Sequence, residues 1–143
     1  MTSIEWTHRL DTRPEVLNPV TGCDKVSPGC RFCYAEVMHK RLHGMGQQKY
    51  QQPFLGHVKF WPNELEKPFR WKQPRTIFIN SMADIFHQDV SVTAIAWIYA
   101  MAFLTSQHTH IILTKRAEWA YRVLTSNEFF VEYVYAVNRL HDR

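Results

Sequence analysis

The chain has 143 residues, of which 45% are apolar and 21% are charged. This balance is typical of a globular protein of about one domain, so it excludes a disordered, fibrous or low-complexity chain. Seventeen Lys and Arg residues against 13 Asp and Glu residues give a net charge of +4, which permits an anionic partner without requiring one.

The sequence predicts neither a membrane-spanning segment nor a secretory signal. The longest apolar run, residues 94–104, is much shorter than the ~20 residues that a spanning helix needs. The first ten residues carry charged side chains and no apolar stretch, unlike a signal peptide. We therefore expect a cytoplasmic protein without a membrane partner, whose reduced cysteines suit metal binding or redox chemistry better than structural disulfides.

The first half of the chain predicts a strand, a helix and a long connector. Residues 16–20 are a short apolar stretch typical of a strand, although Pro19 restricts it to a strand end or an irregular edge. Residues 34–42 place apolar side chains at helical spacing, and Gly44 supplies a stop signal. Residues 45–75 hold four of the seven prolines, which predicts an irregular or partly helical connector.

Strands and helices alternate in the second half. Residues 76–80 and 110–114 are rich in β-branched side chains and predict two buried strands. Between them, Ser91 or Asp89 caps a predicted helix over residues 93–106.

Two further helices are predicted over residues 117–124 and 127–140, the second of them capped by Ser126. The last helix is expected to bury one apolar stripe, made of Phe130, Tyr133, Val134, Val137 and Leu140.

This order of elements is that of βα units with a parallel sheet, an α/β fold. A closed (β/α) barrel needs roughly 200 residues or more, so three units form either a small open sheet or the N-terminal part of a barrel. We predict a partial (β/α) barrel in a single domain, residues 1–143, with a cysteine-bearing loop after the first strand. Such a half-barrel exposes its inner strand faces and the edge of its third strand. That exposure predicts self-association or a protein partner, unless the last helix folds back as a lid.

Three cysteines lie within eleven positions, Cys23, Cys30 and Cys33, in the pattern C-x6-C-x2-C. Two thiolates separated by two residues can bind one metal, and an intervening Pro-Gly turn lets the third reach the same point. A structural zinc site normally has a fourth ligand, for which His39 is a candidate. An iron–sulfur cluster held by three thiolates instead leaves one iron open. Ordinary buried cysteines are the remaining interpretation.

The pair Cys30 and Cys33, with the aromatic Phe32 between them, resembles the motif of the radical S-adenosylmethionine superfamily. The resemblance implies that the three cysteines hold a 4Fe-4S cluster and that S-adenosylmethionine binds its open iron, with Phe32 in the cofactor site. The usual motif has three residues, rather than six, between its first two cysteines.

A wider set of sequence blocks resembles the phage gene-product-37/gene-product-68 family, in which the longer cysteine spacing also occurs. The blocks stand in the expected order at residues 4–7, 18–30, 33–36, 70–72, 79–87 and 112–116. This resemblance implies a phage or prophage protein of unknown substrate, similar to radical S-adenosylmethionine proteins, and an enzyme only if the full barrel is present. Family members are longer, so a truncation at the C-terminus is expected.

Polar side chains follow the second and third predicted strands, at the same edge of the sheet as the cysteine loop. Ser81 is a candidate to bind the amino group of the methionine moiety, and Asp84 to bind a ribose or an amine. Lys115 or Arg116 is a candidate to hold its carboxylate. The alternative is that Asp84 caps the next helix and the Lys-Arg pair is a solvated turn. No catalytic residue is predicted.

Two further patterns have ordinary structural interpretations. Aromatic and basic residues interleave over residues 59–75, which permits stacking on nucleic acid but is more typical of a connector packed on the core. Without a recognised binding module, nucleic acid is not indicated as a partner. His39 and His43 lack a third nearby ligand in the sequence and are expected at the surface.

Overall fold

The computed structural model describes residues 12–142, and its elements follow the predicted α/β order. The strands are β1 (Arg13–Leu17), β2 (Val20–Thr21), β3 (Lys59–Phe60), β4 (Arg75–Ile79) and β5 (Thr109–Ile112). The helices are α1 (Tyr34–Gly44), α2 (Val92–Leu104), α3 (Ala117–Leu124) and α4 (Asn127–His141). Short 3-10 turns lie along the connector between α1 and β4, as its prolines predict.

The main sheet is parallel, with strand order β1-β4-β5. Leu17 lies beside Ile79, which lies beside Ile112, and all three side chains contribute to the core that the helices cover. β4 is the middle strand and its apolar residues are buried, as its β-branched and aromatic composition predicts. β2 and β3 form a separate antiparallel pair, in which β2 lies directly before the cysteine loop and β3 follows α1 in the chain.

The main hydrophobic core lies between this sheet and the helices α2, α3 and α4. α2 is buried on most sides because its sequence is apolar nearly all round. Its cap is Ser91 rather than Asp89, since the Ser91 hydroxyl accepts the Ala94 N–H at 3.1 Å. A smaller apolar cluster, which includes Phe54 and Met82, packs against two cysteines of the loop.

Two strand boundaries differ from the prediction. The first strand ends at Leu17 because Pro19 has no N–H with which to continue the ladder. Asn18 leaves the sheet there, and its side-chain oxygen accepts the Met82 N–H at 3.3 Å. β5 ends at Ile112, two residues early, because the chain turns to bring the Thr114 hydroxyl onto a carboxylate of the preceding loop.

The buried stripe of α4 is rotated relative to the predicted one. Phe129 packs edge-on against Tyr99 of α2, with 5.6 Å between ring centroids, and Ala136 is fully buried. The prediction was wrong for Phe130 and Val134, which are exposed, because the contact with α2 selects the neighbouring face of the helix. α4 thus buries its apolar face on α2 without acting as a lid over the strand edge.

β5 is an edge of the main sheet, as expected. The inner faces of the strands are less exposed than predicted, since Phe78 is buried and its neighbours Val16 and Ile111 are half-buried. Phe78 lines a cavity together with the cysteine loop and Phe54, so these segments cover part of this face. Self-association through β5 stays a prediction. Within residues 12–142, no helix is long and apolar enough to cross a membrane.

Candidate functional site

A cavity of about 540 Å³ opens where β4 and β5 end. Its walls come from the cysteine loop (residues 22–33), the start of α1, and the loops that follow β4 and β5. Because the carboxyl ends of parallel strands meet at one edge of a sheet, residues far apart in sequence share this cavity. The candidate cluster and S-adenosylmethionine residues all line it, namely Cys23, Cys30, Phe32, Cys33, Ser81, Asp84, Lys115 and Arg116.

Gly22 fixes the entry to the cysteine loop. Its φ of 81° lies in the left-handed region, and a Cβ there would stand 2.0 Å from the His57 carbonyl oxygen. The next residue, Cys23, donates its N–H to the Phe54 carbonyl at 2.9 Å. Only glycine therefore allows the loop to run this close to the connector.

Asp24 anchors the loop to three other segments. Its carboxylate accepts the Gly56 N–H at 3.0 Å and contacts the ring Nε2 of buried His87 at 3.0 Å. Its carbonyl accepts a guanidinium N–H of Arg116 at 3.1 Å. The other ring nitrogen of His87 accepts the Asp89 N–H at 3.1 Å, so both nitrogens are already engaged by the protein.

Sequence reasoning did not single out Asp24 or Asn18 as site residues. The sequence gives little indication of either role, since Asp24 is simply the residue after a cysteine and Asn18 precedes a proline at a strand end. Asn18 nevertheless accepts the Ser81 hydroxyl at 3.2 Å, and so positions one wall of the cavity.

Cys30 ends a 3-10 turn and is buried, while Cys33 precedes the first residue of α1. The Val26 N–H, opposed by burial, lowers the pKa of the Cys30 thiol to about 7, with help from Ser27 and the charge of Lys115. A large fraction of Cys30 is therefore thiolate near neutral pH, the form that binds metals.

Two cations face the sulfur atoms. Lys115 Nζ lies 3.8 Å from Cys30 Sγ and also donates to the Gly29 carbonyl at 2.8 Å. Arg116 Nη1 lies 3.7 Å from Cys23 Sγ. Positive charge next to two of the three sulfurs favours a negatively charged occupant of the cavity. The Lys-Arg pair is thus part of the cavity wall rather than a solvated turn.

Asp84 joins the loop after β4 to the loop after β5. Its buried carboxylate accepts the Thr114 hydroxyl at 2.8 Å, the Lys115 N–H at 3.1 Å and Arg116 Nη1 at 3.2 Å. It also accepts the Phe86 N–H at 3.0 Å. Because protein donors occupy both of its oxygens, Asp84 organises the site in this structure and neither caps α2 nor offers a free acceptor to a ribose.

The remaining wall residues present different surfaces. Ser81 is half-buried, and its carbonyl accepts the hydroxyl of Tyr34, whose pKa is raised by burial. Phe32 stands at the rim with 89% of its surface exposed, so it is available to an occupant of the cavity but contributes little to the fold.

His39, the candidate fourth zinc ligand, does not line the cavity. It is buried, which makes the expected surface location wrong for this histidine, because its ring packs edge-on against Tyr50 and Phe54. Its Nε2 also contacts the Gln52 carbonyl at 2.8 Å. His43 is exposed, as expected.

The aromatic rings of the basic connector contact other parts of the protein. Trp61 donates its ring N–H to Thr21 at 2.8 Å, and Trp71 packs edge-on against His108. Lys59 and Arg75 lie over the faces of these two rings. The rings thus stack on the chain's own cations, the arrangement of a packed connector.

The spacing of the thiols bears on which metal they suit. Among residues 12–142, three ligand atoms lie within 4.8 Å of one another only for Asp24, His87 and Asp89, and the three sulfurs form no such group. Thiolates on one tetrahedral zinc ion lie about 3.8 Å apart, given Zn–S bonds of about 2.3 Å. A multi-iron cluster binds each thiolate to a different iron and holds the sulfurs farther apart. The sulfur spacing is thus wider than that of three thiolates on one zinc ion, and three thiolates are a donor set that an iron–sulfur cluster can use.

A comparison with protein families finds one match over residues 1–138, to a family described as "Protein of unknown function (DUF5131)". No curated protein and no solved structure matches the chain. The match covers nearly the whole sequence, including all three cysteines and both loops that complete the cavity, so the chain belongs to the DUF5131 family.

Proposed function

We propose that this cavity binds a 4Fe-4S cluster on Cys23, Cys30 and Cys33, together with S-adenosylmethionine, in a radical S-adenosylmethionine-like manner. The observation that carries the proposal is the convergence of all three cysteines of the chain on one cavity, where two cations face their sulfurs. Cations beside thiolates offset the negative charge that a thiolate-bound cluster brings.

A cluster bound by three cysteines supplies a one-electron reductant and an open iron for the amino and carboxylate groups of S-adenosylmethionine. The chain's own part is placement. Lys115 supplies positive charge for a carboxylate, and the half-buried Ser81 hydroxyl is an acceptor for an amino group. Phe78 and Leu113 give the cavity apolar walls that limit water.

The proposal extends to the architecture and origin of the protein. Three parallel strands that are neighbours in the sheet in their chain order, two of them ending at the cavity, are the arrangement expected of the first part of a (β/α) barrel. Additional units would be needed for a closed barrel and for enzyme activity. The sequence blocks that resemble the phage family support a phage or prophage origin. The three cysteines form no disulfide, which is typical of a cytoplasmic protein.

Anaerobic reconstitution with iron and sulfide tests the proposal. We expect about four irons and four sulfides per chain and the broad visible absorbance of sulfide-to-iron charge transfer. Cys23→Ala, Cys30→Ala and Cys33→Ala should each abolish cluster retention, whereas His39→Ala should not. A colourless protein that holds one zinc ion per chain, and loses it in His39→Ala, would replace the proposal with a zinc-stabilised interaction module.

Binding of the second ligand needs its own measurement. Under anaerobic conditions, S-adenosylmethionine should bind the cluster-loaded chain and not the chain freed of iron, as measured by equilibrium dialysis. Ser81→Ala should weaken that binding while leaving the iron content unchanged. Equal binding with and without the cluster would contradict the proposed site.

A further inference from the structure

Arg116 connects the most distant cysteine of the motif to the rest of the cavity. One guanidinium nitrogen, Nη1, contacts both Asp84 Oδ2 at 3.2 Å and Cys23 Sγ at 3.7 Å. The other, Nη2, donates to the Asp24 carbonyl at 3.1 Å. The side chain is only 11% exposed, so its charge is held in place and little screened by water.

Asp84 fixes this geometry. Its carboxylate is itself buried and accepts from Thr114 and from two backbone N–H groups, so it has little freedom to move. Arg116 is therefore oriented by contacts that do not depend on an occupant of the cavity. Lys115 differs, because its residue is exposed and its ammonium is carried on a flexible stem.

A fixed positive charge on a cluster ligand has a predictable electronic effect. The reduction potential of an iron–sulfur cluster depends on its net charge and on hydrogen bonds to its sulfur atoms. Adding an electron to a cluster makes it more negative, so a nearby cation and an N–H bond to a ligand thiolate both favour the reduced form.

We propose that Arg116, oriented by Asp84, is a positioning residue that holds Cys23 in place and raises the reduction potential of the cluster. This inference rests on the proposed function, because it concerns the cluster that the three cysteines would bind. It adds a role for the loop after β5 that the cysteine motif does not contain.

Redox titration of the reconstituted protein tests this inference. In Arg116→Gln, the oxidised-to-reduced ratio at a fixed applied potential should rise about tenfold, equivalent to about 59 mV for a one-electron couple. Arg116→Lys keeps the charge but cannot make both guanidinium contacts, so its potential should fall between those of Arg116→Gln and the wild type. Arg122→Gln is the matched control, since Arg122 is exposed and pairs with Glu118 on α3.

The outcomes separate this inference from the proposed function. A wild-type chain that takes up no iron overturns both. A wild-type chain with a cluster, whose potential is unchanged in Arg116→Gln, overturns the inference alone. If Arg116→Gln loses its iron, Arg116→Lys decides the matter. An Arg116→Lys variant with full iron content and a lowered potential supports the inference. If Arg116→Lys also loses its iron, Arg116 is needed for cluster assembly and the inference about the potential is overturned.

Discussion

The cysteine loop and helix α2 are held in place by different kinds of interaction. α2 begins at a local cap, Ser91, continues through its own backbone hydrogen bonds and buries apolar side chains on most of its surface. The cysteine loop has little regular structure and is fixed by polar contacts to residues more than thirty positions away, such as Gly56, His87 and Arg116. The fold therefore depends mainly on apolar packing, whereas the site depends on a few long-range hydrogen bonds and one close backbone approach.

The largest effect is expected from a cavity in the core around α2. Ile98 is fully buried there, and Ile98→Ala should lower the free energy of unfolding by about 2–5 kcal/mol. Phe103 lies on the same helix but is exposed, so Phe103→Ala should cost below about 1 kcal/mol. Urea denaturation of both variants measures the difference. Equal losses of unfolding free energy in the two variants would mean that burial of α2 in the core does not stabilise the fold as proposed.

A backbone change at the cysteine loop should come next in size. Gly22→Ala introduces a Cβ that collides with the His57 carbonyl and adds about 1–3 kcal/mol of backbone strain, so the loop must shift and disturb the proposed cluster site. Gly46 has a similar positive φ but open space around it, so Gly46→Ala should carry comparable backbone strain without a collision and should leave the cysteine loop in place. Iron uptake and circular dichroism separate the two effects. We expect Gly22→Ala to lose iron while keeping its helices; normal uptake would show that the close approach is dispensable.

Acid should destabilise the other end of the sheet. Burial, and then the charge of His108, lower the pKa of His110 from 6.5 to about 4. Between these values the unfolded chain binds the proton more readily than the folded one, so stability is intact above pH 6.5 and is lost progressively as the pH falls to about 4. Partial exposure of this side chain limits the loss to below about 2 kcal/mol. Urea midpoints from pH 7.5 to 4.5 should show this slope in the wild type, and a reduced slope in His110→Gln. An unchanged slope in the variant would assign the effect to other groups.

The smallest effect concerns the reactivity of one thiol. In the metal-free double variant Cys23→Ser, Cys33→Ser, the pH dependence of Cys30 alkylation should have its midpoint near its lowered pKa of about 7. An unperturbed thiol would have a midpoint near about 8.5. Adding Lys115→Met should raise the midpoint only slightly, because the Val26 N–H lowers the pKa more than the lysine charge does. A midpoint of about 8.5 in the double variant, with Lys115 still present, would contradict the lowered pKa of Cys30.

Most of the fold could be predicted because its signals are local. Helix α3 has the predicted limits, and the caps Ser91 and Ser126 and the strands β4 and β5 are at or next to their predicted positions. The prediction that both strands are buried was wrong for β5, which is only partly buried because it is an edge of the sheet. The errors arose where tertiary contacts override local pattern. The face of α4 is chosen by its contact with α2, and the end of β5 by the hydrogen bond from Thr114 to Asp84.

The site could be predicted as a set of residues but not as a network. The cysteine spacing and the parallel strand order are visible in the sequence, and together they bring the named side chains to one cavity. The partners of Asp84 and the roles of Asp24 and His87 depend on distances between loops, which no spacing encodes. The buried position of His39 was missed for the same reason, since its aromatic neighbours belong to the connector.

The chain order of the loop and its anchors has a consequence during synthesis. The three thiols leave the ribosome first, whereas Arg116, which contacts both Cys23 and Asp24, is made about 80 residues after the last cysteine. At the usual 5–20 residues per second, the thiols wait about 4–16 s before their cavity can close. Metal delivered earlier meets an open, mobile loop, and oxidants have access to unprotected cysteines. The last strand of the sheet and the loop that follows it therefore complete the proposed metal site.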